Sequence, residues 1–199
     1  MDRATFAWDA GGHYVNNALN FANHAGLLEL AFLNSQICWF WLQDVGSIMR
    51  GGYVQVHGHV LESLPIPDFG FSEQEQLSQL AEATSLAAEE RRKRVDSMAH
   101  EVLRDLAPGG LTSKLPGVLQ DWPSLDFAAF RSAVKKHFKQ DIAQAERNDW
   151  ETKLIAGAKR VAELTAQIES AEREIDQIVY RLFNLTPDEI ALIEASVAQ

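Results

Sequence analysis

The stretch WETKLIAGAKRVAELTAQIESAEREIDQIVYRL, residues 150–182, decides how this chain is read. Trp150, Leu154, Gly157, Val161, Leu164, Ile168, Ala171, Ile175, Ile178 and Leu182 recur at alternating steps of four and three. That spacing puts one apolar seam along a helix for more than four heptads, enough for coiled-coil-like packing. Asn184 is the expected stop, and Thr186-Pro187-Asp188-Glu189 restarts a helix with a Thr N-cap, Pro at the first helical position and Glu three residues on. Upstream, Leu77, Ala81, Thr84, Ala88, Arg91, Val95, Met98 and Val102 follow the same rhythm, opened by the capping-box pair Ser72 and Glu75 and ended by Pro108-Gly109-Gly110. The economical arrangement is an antiparallel pair of helices, about 73–106 and 149–183, with 107–148 as an excursion at the far end. Pairing between two chains, a homodimer through the heptad helices, is the alternative. Within the excursion, 111–123 reads as a loop. A helix over about 124–147 follows, N-capped by Ser124, with Phe127, Phe130, Val134, Phe138 and Ile142 as its stripe. The last helix spans about 187–197.

Residues 1–70 are patterned differently. Thr5–Trp8 and Tyr14–Phe21 flank Asp9-Ala10-Gly11-Gly12, which suggests a hairpin. Apolar residues at 27, 28, 30, 31, 33, 37, 40 and 41 then have helical spacing, until Gly51-Gly52. Tyr53–His57 alternates like a half-buried strand, and Leu64-Pro65-Ile66-Pro67 enforces extended backbone. The expected fold class is therefore mainly α with a small α+β part: long antiparallel heptad helices over 71–199, attached to a region at 1–70 with a few strands.

Composition bounds the function. The chain has 199 residues, 46% hydrophobic and 23% charged, as in an ordinary globular protein. No apolar run reaches the roughly 18–20 residues of a membrane span, and no secretory signal is visible. A single cysteine, Cys38, excludes an internal disulfide framework and fits the cytoplasm. The net charge of −10 argues against indiscriminate nucleic-acid binding. Basic residues concentrate at Arg91-Arg92-Lys93-Arg94 and at Lys135-Lys136-His137 with Lys139, both readable as solvated helix surface.

No catalytic constellation emerges. Glu151-Thr152-Lys153 matches half of a nuclease metal site, but such a site needs its residues on adjacent strands with an Asp presented nearby, and here the triplet opens the heptad helix. His57-Gly58-His59 lacks further ligands at metal spacing, and Cys38 lies in an apolar helix as a core thiol. No phosphate-cradling Gly-rich loop and no nucleophile elbow are present. The most suggestive segment is Met49-Arg50-Gly51-Gly52-Tyr53-Val54-Gln55. Two glycines allow close backbone approach, Arg50 adds charge, Tyr53 a stacking face, and Gln55 a base-edge donor and acceptor. A plain turn entering a strand is the alternative.

This segment and its flanks resemble a known family. Leu27-Leu28-Glu29-Leu30-Ala31-Phe32-Leu33-Asn34-Ser35, Trp39-Phe40-Trp41, Arg50-Gly51-Gly52-Tyr53 and Leu61-Glu62-Ser63-Leu64-Pro65-Ile66-Pro67 look like the TaqI-like C-terminal specificity domain. That domain belongs to adenine-specific DNA methyltransferases of restriction–modification systems, including enzymes that also cleave DNA. Residues 174–190, EIDQIVYRLFNLTPDEI, are similar to the C-terminus of those proteins. The resemblance covers about 27–70 and 172–195. It implies a target-recognition and scaffold portion that works with an N-terminal methyltransferase domain on double-stranded DNA. S-adenosylmethionine would bind that other domain, because the Asn-Pro-Pro-Tyr and cofactor-binding motifs are absent here. No cofactor, metal or catalytic residue is expected in this chain. The candidate DNA contacts are Arg50, Gly51, Gly52, Tyr53, Gln55, His57 and His59. The competing class is a helical protein–protein interaction module without DNA binding.

Overall fold

The computed structural model describes residues 6–9, 25–48, 54–108 and 114–197, and the chain is mainly α-helical. Its helices are α1 (Leu27–Leu33), α2 (Gln36–Val45), α3 (Gly58–Glu62), α4 (Phe71–Leu106), α5 (Phe127–Phe138), α6 (Arg147–Leu182) and α7 (Pro187–Val197). Strands β1 (Ser47–Ile48) and β2 (Val54–Gln55) form a two-residue antiparallel ladder. The chain divides into two compact units. One comprises Met1–Ser85 with Glu169–Gln199, the other Leu86–Ile168. The sequence pattern changes at 70/71, where α4 begins, but the unit boundaries fall inside the two long helices.

In the unit formed by 1–85 and 169–199, the core joins Leu30, Phe32, Trp39 and Leu42 to Leu77 and Ala81 of α4 and to Ile175, Ile178 and Val179 of α6. Residues near the start of α4 thus meet residues near the end of α6. The apolar run after Gly26 is two helices, not one. Asn34 and Ser35 interrupt it: the Ser35 hydroxyl donates to the Phe32 carbonyl at 2.7 Å and accepts the Cys38 N–H at 3.3 Å, which N-caps α2. The apolar periodicity carries straight across this break, so it hides the cap. The expected strand at 53–57 is also shorter, since it ends at Gln55 and His57 already occupies the N-cap position of α3. Leu64–Gly70 is non-helical, as its prolines require. The expected hairpin falls largely on residues outside those described. Helix α4 starts one residue before Ser72. Gly70 accepts its first backbone bond, from the Gln74 N–H, so Ser72 lies inside the first turn and is not the cap.

In the unit 86–168, α4 and α6 run antiparallel. Arg160 places a two-pronged bond on Glu90 (Nε 3.1 Å, Nη2 2.9 Å), Lys153 Nζ reaches Glu101 at 3.0 Å, and Arg91 donates to Thr165 Oγ1 at 3.4 Å. Low-numbered partners on one helix meet high-numbered ones on the other. The stretch expected as a loop carries a 3₁₀ segment at Gly117–Ser124 that sinks Leu119 and Trp122 into the core beside Val102, Phe130, Val134 and Leu154. The helix expected over 124–147 is shorter. Asp126, not Ser124, caps α5 by accepting the Ala129 N–H at 2.7 Å, and Lys139 ends it in the left-handed conformation, with φ 60°. Beyond it, Asp141 is gripped by Arg131 (Nε 2.7 Å, Nη2 2.6 Å), which holds 139–143 out of helical register. Gly157 answers a packing need in the seam: a Cβ there would stand 2.9 Å from the Trp122 ring. The end of α6 and the start of α7 follow expectation. Asn184 adopts φ 53°, and the Glu189 carboxylate accepts the Thr186 N–H at 2.8 Å.

Candidate functional site

The segment singled out as a DNA-contact candidate lies between α2 and α3. Gly46 leaves α2 in extended conformation, and the ladder then sets Ser47 opposite Gln55 and Ile48 opposite Val54. Arg50, Gly51, Gly52 and Tyr53 lie outside the described residues. Gln55 is placed in β2 by its backbone. His57 is half-buried and His59 exposed. Their rings stack face to face, with centroids 5.7 Å apart and planes 12° from parallel. The structure therefore brings His57 and His59 together. Among the described residues, no group of three or more His, Cys, Asp or Glu is arranged to hold a metal ion. Glu151 and Lys153 are exposed on the first turns of α6, with Lys153 over the Trp150 ring at 5.3 Å.

The unit that carries this segment also holds polar groups that sequence patterning did not single out. Asp176 on α6 is buried, and its carboxylate accepts the Gln36 backbone N–H at 2.7 Å and the Gln36 side-chain amide at 2.9 Å. A negative charge at the first N–H of α2 also complements the helix dipole. Asn34 binds the Phe6 backbone reciprocally, accepting its N–H at 3.1 Å and donating to its carbonyl at 3.0 Å. Phe32 stacks on Phe183, centroids 6.3 Å apart, and meets Phe69 edge-on. One signal pointed to Asp176: an acid wedged between Ile175 and Ile178, next to an apolar seam. Cys38 is buried in this core, as an inert thiol should be.

Beside these residues lies an apolar cleft of about 370 Å³, walled by Phe32, Ile37, Trp41, Leu64, Phe183 and Ile193. Its size falls within the range of small-ligand sites, but it offers few polar groups to fix an orientation. Phe40 and Leu192 stand exposed at its margin.

In the unit 86–168, Arg131 and Arg147 both reach Asp141. The Arg131 guanidinium, by hydrogen bonding, pulls the Asp141 carboxyl down to about 2. Arg160 likewise lowers Glu90. Within the Arg91–Arg94 run, Lys93 pairs with Glu89 and Arg94 with Glu90. That half-neutralised surface matches the solvated reading.

Residues 71–179 match a family defined by a domain of unknown function, DUF8810. This is more than half of the chain, and the chain belongs to that family. The matched span begins at the first residue of α4 and ends near the end of α6, so it covers the two long helices with the α5 excursion between them. No curated protein and no solved structure matches the chain. No helix among the described residues is long and apolar enough to cross a membrane.

Proposed function

We propose that this chain is the target-recognition and scaffold portion of a site-specific adenine DNA methyltransferase of a restriction–modification system, active in the cytoplasm. One observation carries the reading. The two stretches that resemble that family, about 27–70 and 172–195, are separated by roughly half the chain, yet they belong to one compact unit. Asp176 of the second stretch holds the start of α2 in the first, and Phe183 stacks on Phe32. A resemblance split across two distant segments gains weight when those segments are one structural element.

In this reading the 1–70 region is a partial target-recognition region with a few strands. Its contacts to a short duplex site are Arg50, Tyr53, Gln55, His57 and His59, with Gly51-Gly52 allowing close backbone approach. The antiparallel heptad helices set its position relative to a methyltransferase domain. There S-adenosylmethionine supplies the methyl group, and the adenine is flipped out of the stack. Substituting Arg50→Ala and Gln55→Ala in the full-length enzyme should relax site preference and weaken binding. Unchanged preference and unchanged salt-dependent affinity would sink the assignment.

A helical interaction module is the second reading, favoured by the uncovered apolar cleft and the −10 charge. The seam residues Leu77, Leu154, Leu164 and Ile175 are buried within their own chain, so the heptads do not call for a second copy. Light scattering with a duplex titration at low salt separates the two: a stable dimer without DNA affinity favours the module.

A further inference from the structure

Charge is divided unevenly between the two compact units. The unit formed by 1–85 and 169–199 carries 4 basic and 16 acidic side chains, net −12, whereas 86–168 carries 14 basic and 12 acidic, net +2. A unit at −12 repels a phosphate backbone and has few cations with which to release counterions. If the chain meets DNA, the sequence-independent part of the affinity needs another source.

The C-terminal end of α5 supplies one. Lys135, Lys136 and Lys139 are exposed there, and His137 lies between them. The loop leading into the 3₁₀ segment reaches the same place. Gly117, with φ +50°, approaches the His137 ring so closely that a Cβ would stand 2.9 Å from it, and Lys114, three residues upstream, is exposed as well. Half of the 14 cations of this unit face carboxylates: Lys93, Arg94, Arg104, Arg131, Arg147, Lys153 and Arg160 are in ion pairs. Among the described residues the four lysines make no such pair. Asp141, the nearest acid in sequence to Lys139, is already shared by Arg131 and Arg147 and adds no free negative charge. The bland account is that lysines simply favour the negative end of a helix dipole. That explains Lys135 and Lys136 in the last turn, but not Lys114 on a different segment.

We infer that Lys114, Lys135, Lys136 and Lys139 form a phosphate-contacting surface for duplex DNA. This inference rests on the proposed reading and deepens it. Base contacts come from the segment around Arg50 and Gln55, and backbone contacts come from the end of α5. Phosphate contacts position a protein without reading sequence, so the two sets of residues separate by measurement.

The test titrates the full 199-residue chain with a short duplex of arbitrary sequence over a range of salt concentrations. The triple variant Lys135→Gln, Lys136→Gln, Lys139→Gln should bind about tenfold or more weakly at low salt. Its slope of log affinity against log salt should flatten by about 2.7, near 0.9 per lost phosphate contact. The matching Lys→Arg triple should retain both values, and circular dichroism should show the same helicity for all three proteins. An unchanged slope in the Gln triple overturns the inference, and so does a wild-type chain that does not bind duplex. Loss in the Gln triple of a self-association present in the wild type, without DNA binding, also overturns it and makes the acidic unit of a second copy the partner. The base-reading proposal fails separately, on unchanged site preference in the Arg50 and Gln55 variants.

Discussion

The two compact units bury the same pair of helices by different means. In 86–168 the closure is aromatic and apolar. Trp122 fills the space that Gly157 leaves open, Phe130 stacks on Trp150 at 6.1 Å, and polar pairs such as Arg160–Glu90 lie at the margin. In the unit of 1–85 and 169–199 an apolar core of comparable size is joined by polar groups inside. A buried carboxylate holds one helix start, an asparagine clamps a distant backbone, and an apolar cleft stays open beside them. The first arrangement draws on surface removed from water and tolerates loss of a rim pair. The second stakes more on single hydrogen bonds, because an unmet buried polar group carries its full desolvation cost. The matched family span, 71–179, takes in the whole of the apolar unit and only the helical margin of the polar one.

The sharpest way to break this contrast is to empty the aromatic closure. Trp122 is almost fully buried, and Trp122→Ala removes a large ring from a site lined by helices that cannot all collapse inward. The expected loss is about 3–5 kcal/mol. Native-state hydrogen exchange of the α5 amides reads it without assuming that the whole chain unfolds at once. A loss below about 1 kcal/mol would show that the ring is dispensable and that the apolar description of this unit is wrong.

A smaller effect should come from the polar unit. Asp176→Ala leaves the Gln36 N–H and side-chain amide without their acceptor in a partly buried setting. Charged hydrogen bonds of this kind are worth about 1.5–3 kcal/mol, so the loss should be about 2–3 kcal/mol. It should appear first as faster exchange at the start of α2, while Asp176→Asn, which keeps one carbonyl oxygen, should fall between. If Asp176→Ala leaves those amides as protected as in the wild type, the carboxylate does not hold α2. The link between residues 27–70 and 172–195, on which the proposed function rests, then loses its main support.

Period and cap chemistry made much of this fold legible. The seam of α6, its stop at Asn184 and the Thr186–Glu189 restart are local signals, and the structure follows them. The seam of α4 predicted its partner because two heptad stripes of equal length in one chain can bury each other. What stayed hidden was tertiary. Residues 139–147 include good helix formers such as Lys139, Gln140, Ala143 and Gln144, yet α5 stops at Phe138 because Arg131 takes hold of Asp141 ten residues away. The break at Asn34-Ser35 sits inside an unbroken apolar rhythm, and only the hydrogen bonds of Ser35 reveal it. Trp122 sits among Gly and Pro residues that read as loop, so its place in the core depends on a gap at Gly157 that no local pattern announces. The candidate site divides the same way. A pair of histidines at 57 and 59 is readable as a motif, whereas the Asp176–Gln36 contact joins residues 140 positions apart.

The smallest effect sharpens the contrast from the rim of the apolar unit, through pH. Asp141 titrates at about 2 in the folded chain, because Arg131 and then Arg147 stabilise its charged form, while an unfolded aspartate titrates near 3.8. A folded-state value below the unfolded one means stability that is fully present above about 4. It is lost as pH falls toward 2. The thermal midpoint of the wild type should therefore drop across that window by more than the midpoint of Asp141→Asn, which has no proton to gain at this position. At neutral pH the two should differ little, because the pair is solvent-accessible and exposed ion pairs contribute modestly. Added salt should narrow the remaining gap by screening. A large gap at pH 7 that persists in high salt would mean that the Arg131–Asp141 clamp carries a large share of this unit's stability. The apolar unit would then depend on a single polar contact as much as its neighbour depends on Asp176.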